Sequence, residues 1–194
     1  IAPERVLVGI MVKNIPTDEE AVKIAKSYMD NGVLTSIGLG AGDPAMWKRV
    51  ADVSYAARPY HINQVFPAAG YTLGKVEEVY GGKEFIVNSL IEPAHEAGMV
   101  YISTGEVSQH KKEAISCEAA AKIMADIGLN SVKFYPVKGS EKLDHIKAMA
   151  EAAVKEGIEI FEPTGSLDLD NVSEIVRICI EAGVKTVIPH LYTS

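Results

Sequence analysis

The chain carries only two cysteines in 194 residues. Cys117 and Cys179 stand in helix-like segments without metal-ligand spacing, so reduced, buried thiols are expected, and neither a disulfide, a zinc site nor a cysteine nucleophile. Long apolar runs are lacking too: none approaches the roughly 18 residues of a membrane span. No signal peptide opens the sequence, and a cytoplasmic location is the expectation. Positive charge is scarce, with 19 Lys and Arg against 26 Asp and Glu for a net charge of −7. That balance offers no basic footprint for nucleic acid or an anionic membrane, so any phosphate must be met locally. A G-x-G-x-x-G fingerprint is missing as well, because Gly38-Leu39-Gly40-Ala41-Gly42 has the wrong spacing for a dinucleotide site. These absences leave a small-molecule partner and imply no cofactor and no metal.

A hydrophobic content of 47% in a chain of this length supports one good core and a single domain over 1–194. The chain begins at Ile1 without methionine and stops at Ser194 just after a strand-like run, so ordered segments beyond both ends are allowed for.

Strand and helix patterns alternate along it. Val6 to Val12 is a continuous β-branched and apolar run of the kind buried on both faces of a parallel sheet. Thr17 precedes Asp18-Glu19-Glu20 as a helix N-cap, and Asn31-Gly32 closes that helix. Leu34 to Leu39 and a helix from Met46 repeat the unit. Tyr60 to Phe66 reads as a third strand ended by Pro67, with a short helix around Lys75 to Tyr80. Phe85 to Ile91 and Met99 to Thr104 read as strands, but the residues between them are too few for a crossover of roughly a dozen, which predicts a hairpin or bend. A polar loop, Gly105 to Glu113, leads to a helix over Ala114 to Ile127 and then to the strand containing Lys133. A helix from Glu141 to Glu156, a strand from Ile158 to Glu162, a helix from Asp170 to Ala182 and a strand from Lys185 to Leu191 complete the series. The class is α/β with a parallel sheet. Helices that end in glycine before each next strand fit a (β/α)8 TIM barrel better than a doubly wound sheet. If the hairpin supplies one barrel strand only, the eighth is expected to precede Ile1.

Ser131-Val132-Lys133-Phe134-Tyr135-Pro136 places a lysine inside an apolar, β-prone run. A buried ammonium without a partner tends to lose its proton, and a neutral lysine can form a Schiff base with a ketone. Lysines in strands otherwise sit on solvated edges or snorkel outward. In a barrel the functional groups lie at the carboxyl-terminal strand ends, where Lys13, Asn63 and Gln64, Asn88, Lys133, Glu162, Thr164 and His190 fall. The period of two puts Ser131, Lys133 and Tyr135 on one face and Ile160, Glu162 and Thr164 on one face of the next strand. Glu162 is therefore expected beside Lys133. Such a pair is either an inert ion pair or a carboxylate that moves protons for a neutral amine. Past that strand, the backbone N–H groups of Gly165 and Ser166 are placed to hold phosphate. The plain alternative is a βα turn with Asp168 or Asp170 as N-cap.

Val132-Lys133-Phe134-Tyr135-Pro136, followed by a helix and then Phe161-Glu162-Pro163-Thr164-Gly165-Ser166, resembles the paired Lys-Phe-Phe-Pro and Pro-Thr-Gly-Gly strands of the 2-keto-3-deoxy-6-phosphogluconate (KDPG) aldolases. Gly38 to Pro44, His61 to Phe66, Ile102 to Gly105 and Ile188 to Tyr192 extend the likeness to the divergent branch associated with glucosaminate-type sugar acid catabolism. The resemblance implies a class I aldolase that cleaves the phosphorylated keto-deoxy acid to pyruvate and glyceraldehyde 3-phosphate without metal, in a homo-oligomer. By match, Lys133 is the Schiff-base lysine, and Thr164, Gly165 and Ser166 are candidates for substrate and phosphate binding. Asn63 and His190 join them as strand-end binding candidates. The early-strand glutamate and arginine of the better-known aldolases have no counterpart in Leu34 to Gly40, so Glu162 takes the acid/base role here, with His190 as second choice. Ser166 replaces a glycine, which a positive φ would make less comfortable.

Other functions compete with this one. A phosphosugar isomerase or a 4-hydroxy-2-oxoglutarate aldolase would use the same barrel. A metal-dependent lyase would draw on His61, His190 and Glu162 or Asp43. A noncatalytic phosphate-binding module would need only the turn after Glu162.

Overall fold

The computed structural model describes residues 5–191. The chain divides into two compact units, the first ending at Asn88 and the second beginning at Ser89.

In the first unit β1 (Val8–Met11), α1 (Asp18–Asp30), β2 (Thr35–Gly38), α2 (Trp47–Ala57), β3 (His61–Ile62) and α3 (Phe66–Tyr80) alternate, and β4 (Ile86–Pro93) begins there. The strands pair in parallel and in chain order: Val8 lies opposite Thr35, Ser36 opposite His61, and His61 opposite Ile86. Ile10, Val12, Ile37 and Ile62 are buried along the sheet, and small helix residues, Ala21, Ala25, Ala51 and Ala57, are buried with them. Thr17 caps α1 as its sequence implies, its hydroxyl accepting from the Glu20 N–H at 3.2 Å.

Pro67 does not end a strand. β3 stops at Ile62, and Pro67 lies in the first turn of α3, where a missing N–H costs nothing and a fixed φ suits the helix. The helix then runs through Gly70 and Gly74 because Ala68, Ala69, Thr72 and Val76 find buried packing along it; that packing outweighs the weak helix propensity of glycine.

Polar side chains tie β2, β3 and β4 together inside this unit. Asn63 Nδ2 donates to Ser36 Oγ at 2.7 Å, and Ser36 Oγ lies 2.8 Å from His61 Nδ1. Asn88 Nδ2 donates to Asn63 Oδ1 at 2.8 Å, and Asn88 Oδ1 accepts from the Gln64 N–H at 3.0 Å. All five residues are buried.

The second unit contains the rest of β4, then β5 (Met99–Tyr101), β6 (Ile115–Ser116), α4 (Cys117–Ile127), β7 (Ser131–Phe134), α5 (Leu143–Lys155), β8 (Ile160–Pro163), α6 (Val172–Glu181) and β9 (Thr186–Val187). The expected hairpin is present, with Glu92 opposite Tyr101 and Pro93 opposite Val100 in antiparallel register. Its third strand was not anticipated: Ile115 and Ser116 pair with Val100 and Met99 instead of opening the helix. The reason is local. Ser116 is the N-cap of α4, its hydroxyl accepting from the Ala119 N–H at 3.1 Å, so the residues before it are free to be extended. β5 and β6 stand off the path formed by the parallel strands.

β7, β8 and β9 are parallel neighbours, and the Tyr135 N–H donates to Ile91 O at 3.0 Å at the end of β7. Val132, Phe134 and Phe161 are fully buried, as are Ile146 and Met149 of α5, and the Phe134 and Phe161 rings lie 5.8 Å apart. Cys117 and Cys179 are free and buried, and burial raises both thiol pKa values, to about 11 and about 12. A strand preceding Ile1 and the final Tyr192 of the sequence motif lie outside the described residues. Among the described residues no helix is long and apolar enough to cross a membrane.

Replacing Asn88 by leucine keeps roughly its bulk but strips a donor from Asn63 Oδ1 and an acceptor from the Gln64 N–H. The variant should lose about 2–4 kcal/mol of unfolding free energy, given the cost of orphaning buried polar groups. Urea unfolding checks this, and an unchanged midpoint would show that the network does not hold the strands.

Candidate active site

The parallel register of β7 and β8 sets Lys133 opposite Glu162 and Ser131 opposite Ile160. Alternation along β7 turns Val132 and Phe134 into the apolar core, which leaves Ser131 and Lys133 on the other face. The residues that meet there form a chain of contacts. Ser131 Oγ donates to Glu162 Oε1 at 2.5 Å, Glu162 Oε2 lies 2.8 Å from His190 Nε2, and His190 Nδ1 lies 3.4 Å from Lys133 Nζ. Glu162 is fully buried.

β8 and the segment after β9 place the histidine. The His190 N–H donates to Pro163 O at 3.1 Å, and Thr164 and His190 form an isolated parallel bridge. The ring is thus brought to the end of β8 by backbone pairing, and its two nitrogens reach a carboxylate on one side and an amine on the other. Burial lowers the Lys133 pKa from 10.5 to about 8, partly offset by the negative charge of Glu162. At pH 7 a pKa of about 8 leaves roughly one amine in ten unprotonated, against about one in 3,000 for an ordinary lysine. An amine with a carboxylate–imidazole pair within reach is an arrangement that can pass protons to and from the lysine nitrogen.

Thr164, Gly165 and Ser166 follow at the end of β8. Every polar group of Thr164 is engaged: its N–H with Phe134 O at 3.0 Å, its carbonyl with the Val137 N–H at 2.9 Å, its hydroxyl with Glu162 O at 3.1 Å. Gly165 has φ 112 and accepts from the Gly139 N–H at 3.0 Å. A Cβ there would lie 3.2 Å from both Pro136 Cα and Val137 N, so this glycine is required by the close approach of the loop that follows β7. Ser166 takes the positive φ, 55°, that its sequence position made uncomfortable. Its carbonyl accepts from Asn171 Nδ2 at 3.0 Å. Asp168 Oδ1 accepts from the Asp170 and Asn171 N–H groups at 3.0 and 3.1 Å, which closes the turn before α6; neither Asp168 nor Asp170 is the helix N-cap, a position taken by Asn171 without a side-chain cap bond.

Other candidates belong to the first unit. Asn63 is buried in the first unit between Ser36 and Asn88. Lys13 pairs with Asp43 at 2.8 Å, and this bond holds the Asp43 carboxyl below the usual carboxylate range. Among the described residues no group of three or more His, Cys, Asp or Glu could hold a metal ion. Ser131 is the residue that sequence reasoning passed over. The period of two already set it on the face of Lys133, and only the register of the next strand reveals that it reaches Glu162.

Comparisons with known proteins show the family. A family model described as KDGP aldolase matches residues 1–194. A 2-dehydro-3-deoxy-phosphogluconate aldolase from Salmonella typhimurium is 38% identical over 189 residues, covering 97% of this chain and 76% of the relative. Among solved structures, the carboxyl transferase domain of Rhizobium etli pyruvate carboxylase with pyruvate matches with a TM-score of 0.55 at 11% identity, over 95% of this chain and 32% of that one. The chain thus spans about a third of that structure. An aldolase named QR15 matches with a TM-score of 0.50 at 11% identity, over 96% of this chain and 90% of that one. Likenesses at such identities speak for an α/β fold only.

The depressed lysine has a thermodynamic consequence. Between about pH 8 and 10.5 the folded chain binds fewer protons at Lys133 than the unfolded chain, so this residue makes stability rise with pH across that window. Below pH 8 it is charged in both states and the full cost of burial is present. Lys133→Met should therefore gain stability over the parent at pH 7, and the gain should shrink as pH approaches 10. Parallel urea titrations test the trend, and a difference that is flat with pH would contradict it.

Proposed function

The chain belongs to the KDGP aldolase family and is a carbon–carbon lyase; from that premise we propose that it is a class I aldolase acting on 2-keto-3-deoxy-6-phosphogluconate through a Schiff base at Lys133. The observation that carries the reading is the contact chain from Ser131 through Glu162 and His190 to the Lys133 amine.

The neutral amine of Lys133 attacks the C2 ketone. A proton passes from the attacking nitrogen to the carbonyl oxygen, giving a carbinolamine, and a second proton, supplied by an acid to the hydroxyl, lets it leave as water and leaves a protonated imine. A base then takes the proton of the C4 hydroxyl. The C3–C4 bond breaks, its electrons move into the imine to form an enamine, and C4 leaves as the aldehyde of glyceraldehyde 3-phosphate. Protonation of C3 and hydrolysis of the imine release pyruvate and restore the amine. His190 is the proton carrier within reach of the nitrogen, and Glu162, fixed by Ser131, orients the ring and stabilises its charged form. This divides between the two residues a role for which the sequence offered Glu162 first and His190 second.

Phosphate is placed at the turn after β8, where the exposed Ser166 stands with its N–H and hydroxyl and where Lys138, exposed in the strapping loop, adds charge. Gly165 lets that loop close on the turn, and Thr164 holds it. Asn63 is retained as a substrate-binding candidate. The reading includes closure of the parallel strands into a (β/α)8 barrel forming a single domain, a cytoplasmic location and a homo-oligomeric state. It needs no metal and no cofactor.

Trapping decides the mechanism. Borohydride with pyruvate should leave one reduced pyruvyl group on Lys133, found by peptide mass mapping, and Lys133→Met should abolish both the adduct and turnover. No adduct under turnover conditions would remove the Schiff base and favour an isomerase or a plain phosphate binder. Activity lost to EDTA and restored by a divalent metal would point to the metal-dependent lyase. Comparing kcat/KM for 2-keto-3-deoxy-6-phosphogluconate and 4-hydroxy-2-oxoglutarate tests the substrate.

The pH profile tests the relay. With burial holding the Lys133 pKa near 8, kcat/KM should climb as pH rises through that value. His190→Asn and Glu162→Gln should each lower kcat by roughly 10²-fold or more, the usual contribution of a positioned acid/base, while leaving the borohydride adduct in place.

A further inference from the structure

Asn171 stands at the N-cap of α6, where an asparagine side chain ordinarily accepts from the N–H groups of the first turn. It makes no such bond. Its amide reaches backward instead, into the turn that follows β8. Nδ2 donates to Ser166 O at 3.0 Å, and Oδ1 accepts from the Asp168 N–H at 3.1 Å. A carbonyl only accepts and an N–H only donates, so these two contacts fix which way the amide faces. Asp168 returns the contact, its Oδ1 accepting from the Asn171 N–H at 3.1 Å, and the two residues close a reciprocal ring of the capping-box kind ahead of the helix.

The residue that this ring holds is the strained one. Ser166 has φ 55, a conformation that a Cβ disfavours and glycine accepts. Ser166 is exposed, while Leu167 next to it is buried and anchors the turn. The loop after β7 crosses at the same point. A Cβ on Gly139 would lie 3.1 Å from both Asn171 Nδ2 and Ser166 O, and the Gly139 N–H donates to Gly165 O at 3.0 Å. The segment bearing Lys138 thus rests against the bond between Asn171 and Ser166. One amide side chain supports both the serine and the cation to which phosphate binding is assigned.

We propose that Asn171 is a positioning residue for the phosphate of the substrate: it leaves its own helix without a side-chain cap, holds Ser166 left-handed, and so sets the preference for phosphorylated over unphosphorylated keto-deoxy acids. This inference rests on the placement of phosphate at the turn after β8 under the proposed function. Asn171 acts through Ser166 and the strapping loop, so substrate binding depends on it and the steps at the Lys133 amine do not.

Kinetics of the full chain with 2-keto-3-deoxy-6-phosphogluconate and with unphosphorylated 2-keto-3-deoxygluconate test this. Asn171→Ser keeps a residue that caps helices as well as asparagine does but is too short to reach Ser166 O, so the start of α6 is preserved while the turn loses its support. KM for the phosphorylated acid should rise about fivefold or more, the loss expected for one hydrogen bond, with kcat and the kcat/KM of the unphosphorylated acid unchanged. Ser166→Gly supplies the second arm, because glycine takes the left-handed conformation unaided; on that background Asn171→Ser should leave KM nearly unchanged. Equal KM increases with and without Ser166→Gly, equal losses on both substrates, or no effect of Asn171→Ser would each overturn the role of Asn171. Amide NMR with inorganic phosphate scores the underlying reading without turnover: saturable shifts are expected at Ser166 in the parent, with binding about fivefold weaker in Asn171→Ser. A parent without those shifts loses the phosphate site and the inference together, whereas equal phosphate affinity in parent and variant removes the inference alone.

Discussion

A parallel strand pair, Ser131–Phe134 against Ile160–Pro163, carries a lysine and a glutamate in register. A shift of one residue on either strand would turn one of the two groups into the apolar core with Phe134 and Phe161, so the packing of those rings and the placement of the reactive pair are set by one constraint. Burying a carboxylate is expensive unless its oxygens are met. Glu162 is met twice, by the Ser131 hydroxyl and by the His190 ring. The lysine is treated differently: burial drives its pKa down to about 8, and the nearby carboxylate recovers only part of the loss.

The position of Lys133 in an apolar strand and the period of two were enough to name the face that it shares with Ser131, and the neighbouring strand supplied Glu162. Those are local rules, and local rules hold where a strand is short and flanked by strong breakers. Pro67 misled for the same reason, because a proline after an apolar run is compatible both with a strand end and with a helix start. Only the burial of Ala68, Ala69, Thr72 and Val76 along α3 separates them. The third strand of the antiparallel appendage was hidden because two residues, Ile115 and Ser116, carry no period. The contact between His190 and Glu162 joins residues 28 apart in sequence through the pairing of β8 with the segment after β9. No pattern within either segment encodes it.

The turn after β8 serves two ends. Gly165 is a glycine because the loop following β7 passes within contact of where its Cβ would be, and Val137 and Gly139 donate to the carbonyls of Thr164 and Gly165 at 2.9 and 3.0 Å. The strap brings Lys138 to the same turn as Ser166. A left-handed serine is disfavoured by roughly 1–2 kcal/mol, and Asn171 Nδ2, bonded to the Ser166 carbonyl, helps to hold it. On a chain of net charge −7 a phosphate finds no long-range attraction, so a fixed turn with N–H groups and one added cation is the kind of local site such a ligand requires.

The division of labour between Glu162 and His190 follows from reach and charge together. A fully buried carboxylate that accepts from a serine has little freedom to follow a substrate through several proton transfers. The imidazole beside it is partly accessible, with 17% of its side chain exposed, and presents one nitrogen to the amine while the other stays on the carboxylate. If the ring gains a proton at Nδ1, the resulting cation faces Glu162 through Nε2 and is stabilised there; if it loses one, the same contact fixes the tautomer. In the proposed mechanism the buried glutamate acts by holding and biasing the histidine, and the serine by holding the glutamate. On that proposal, an aldolase that lacks the early-strand glutamate and arginine of its better-known relatives gathers its acid/base groups onto the strands that follow the lysine.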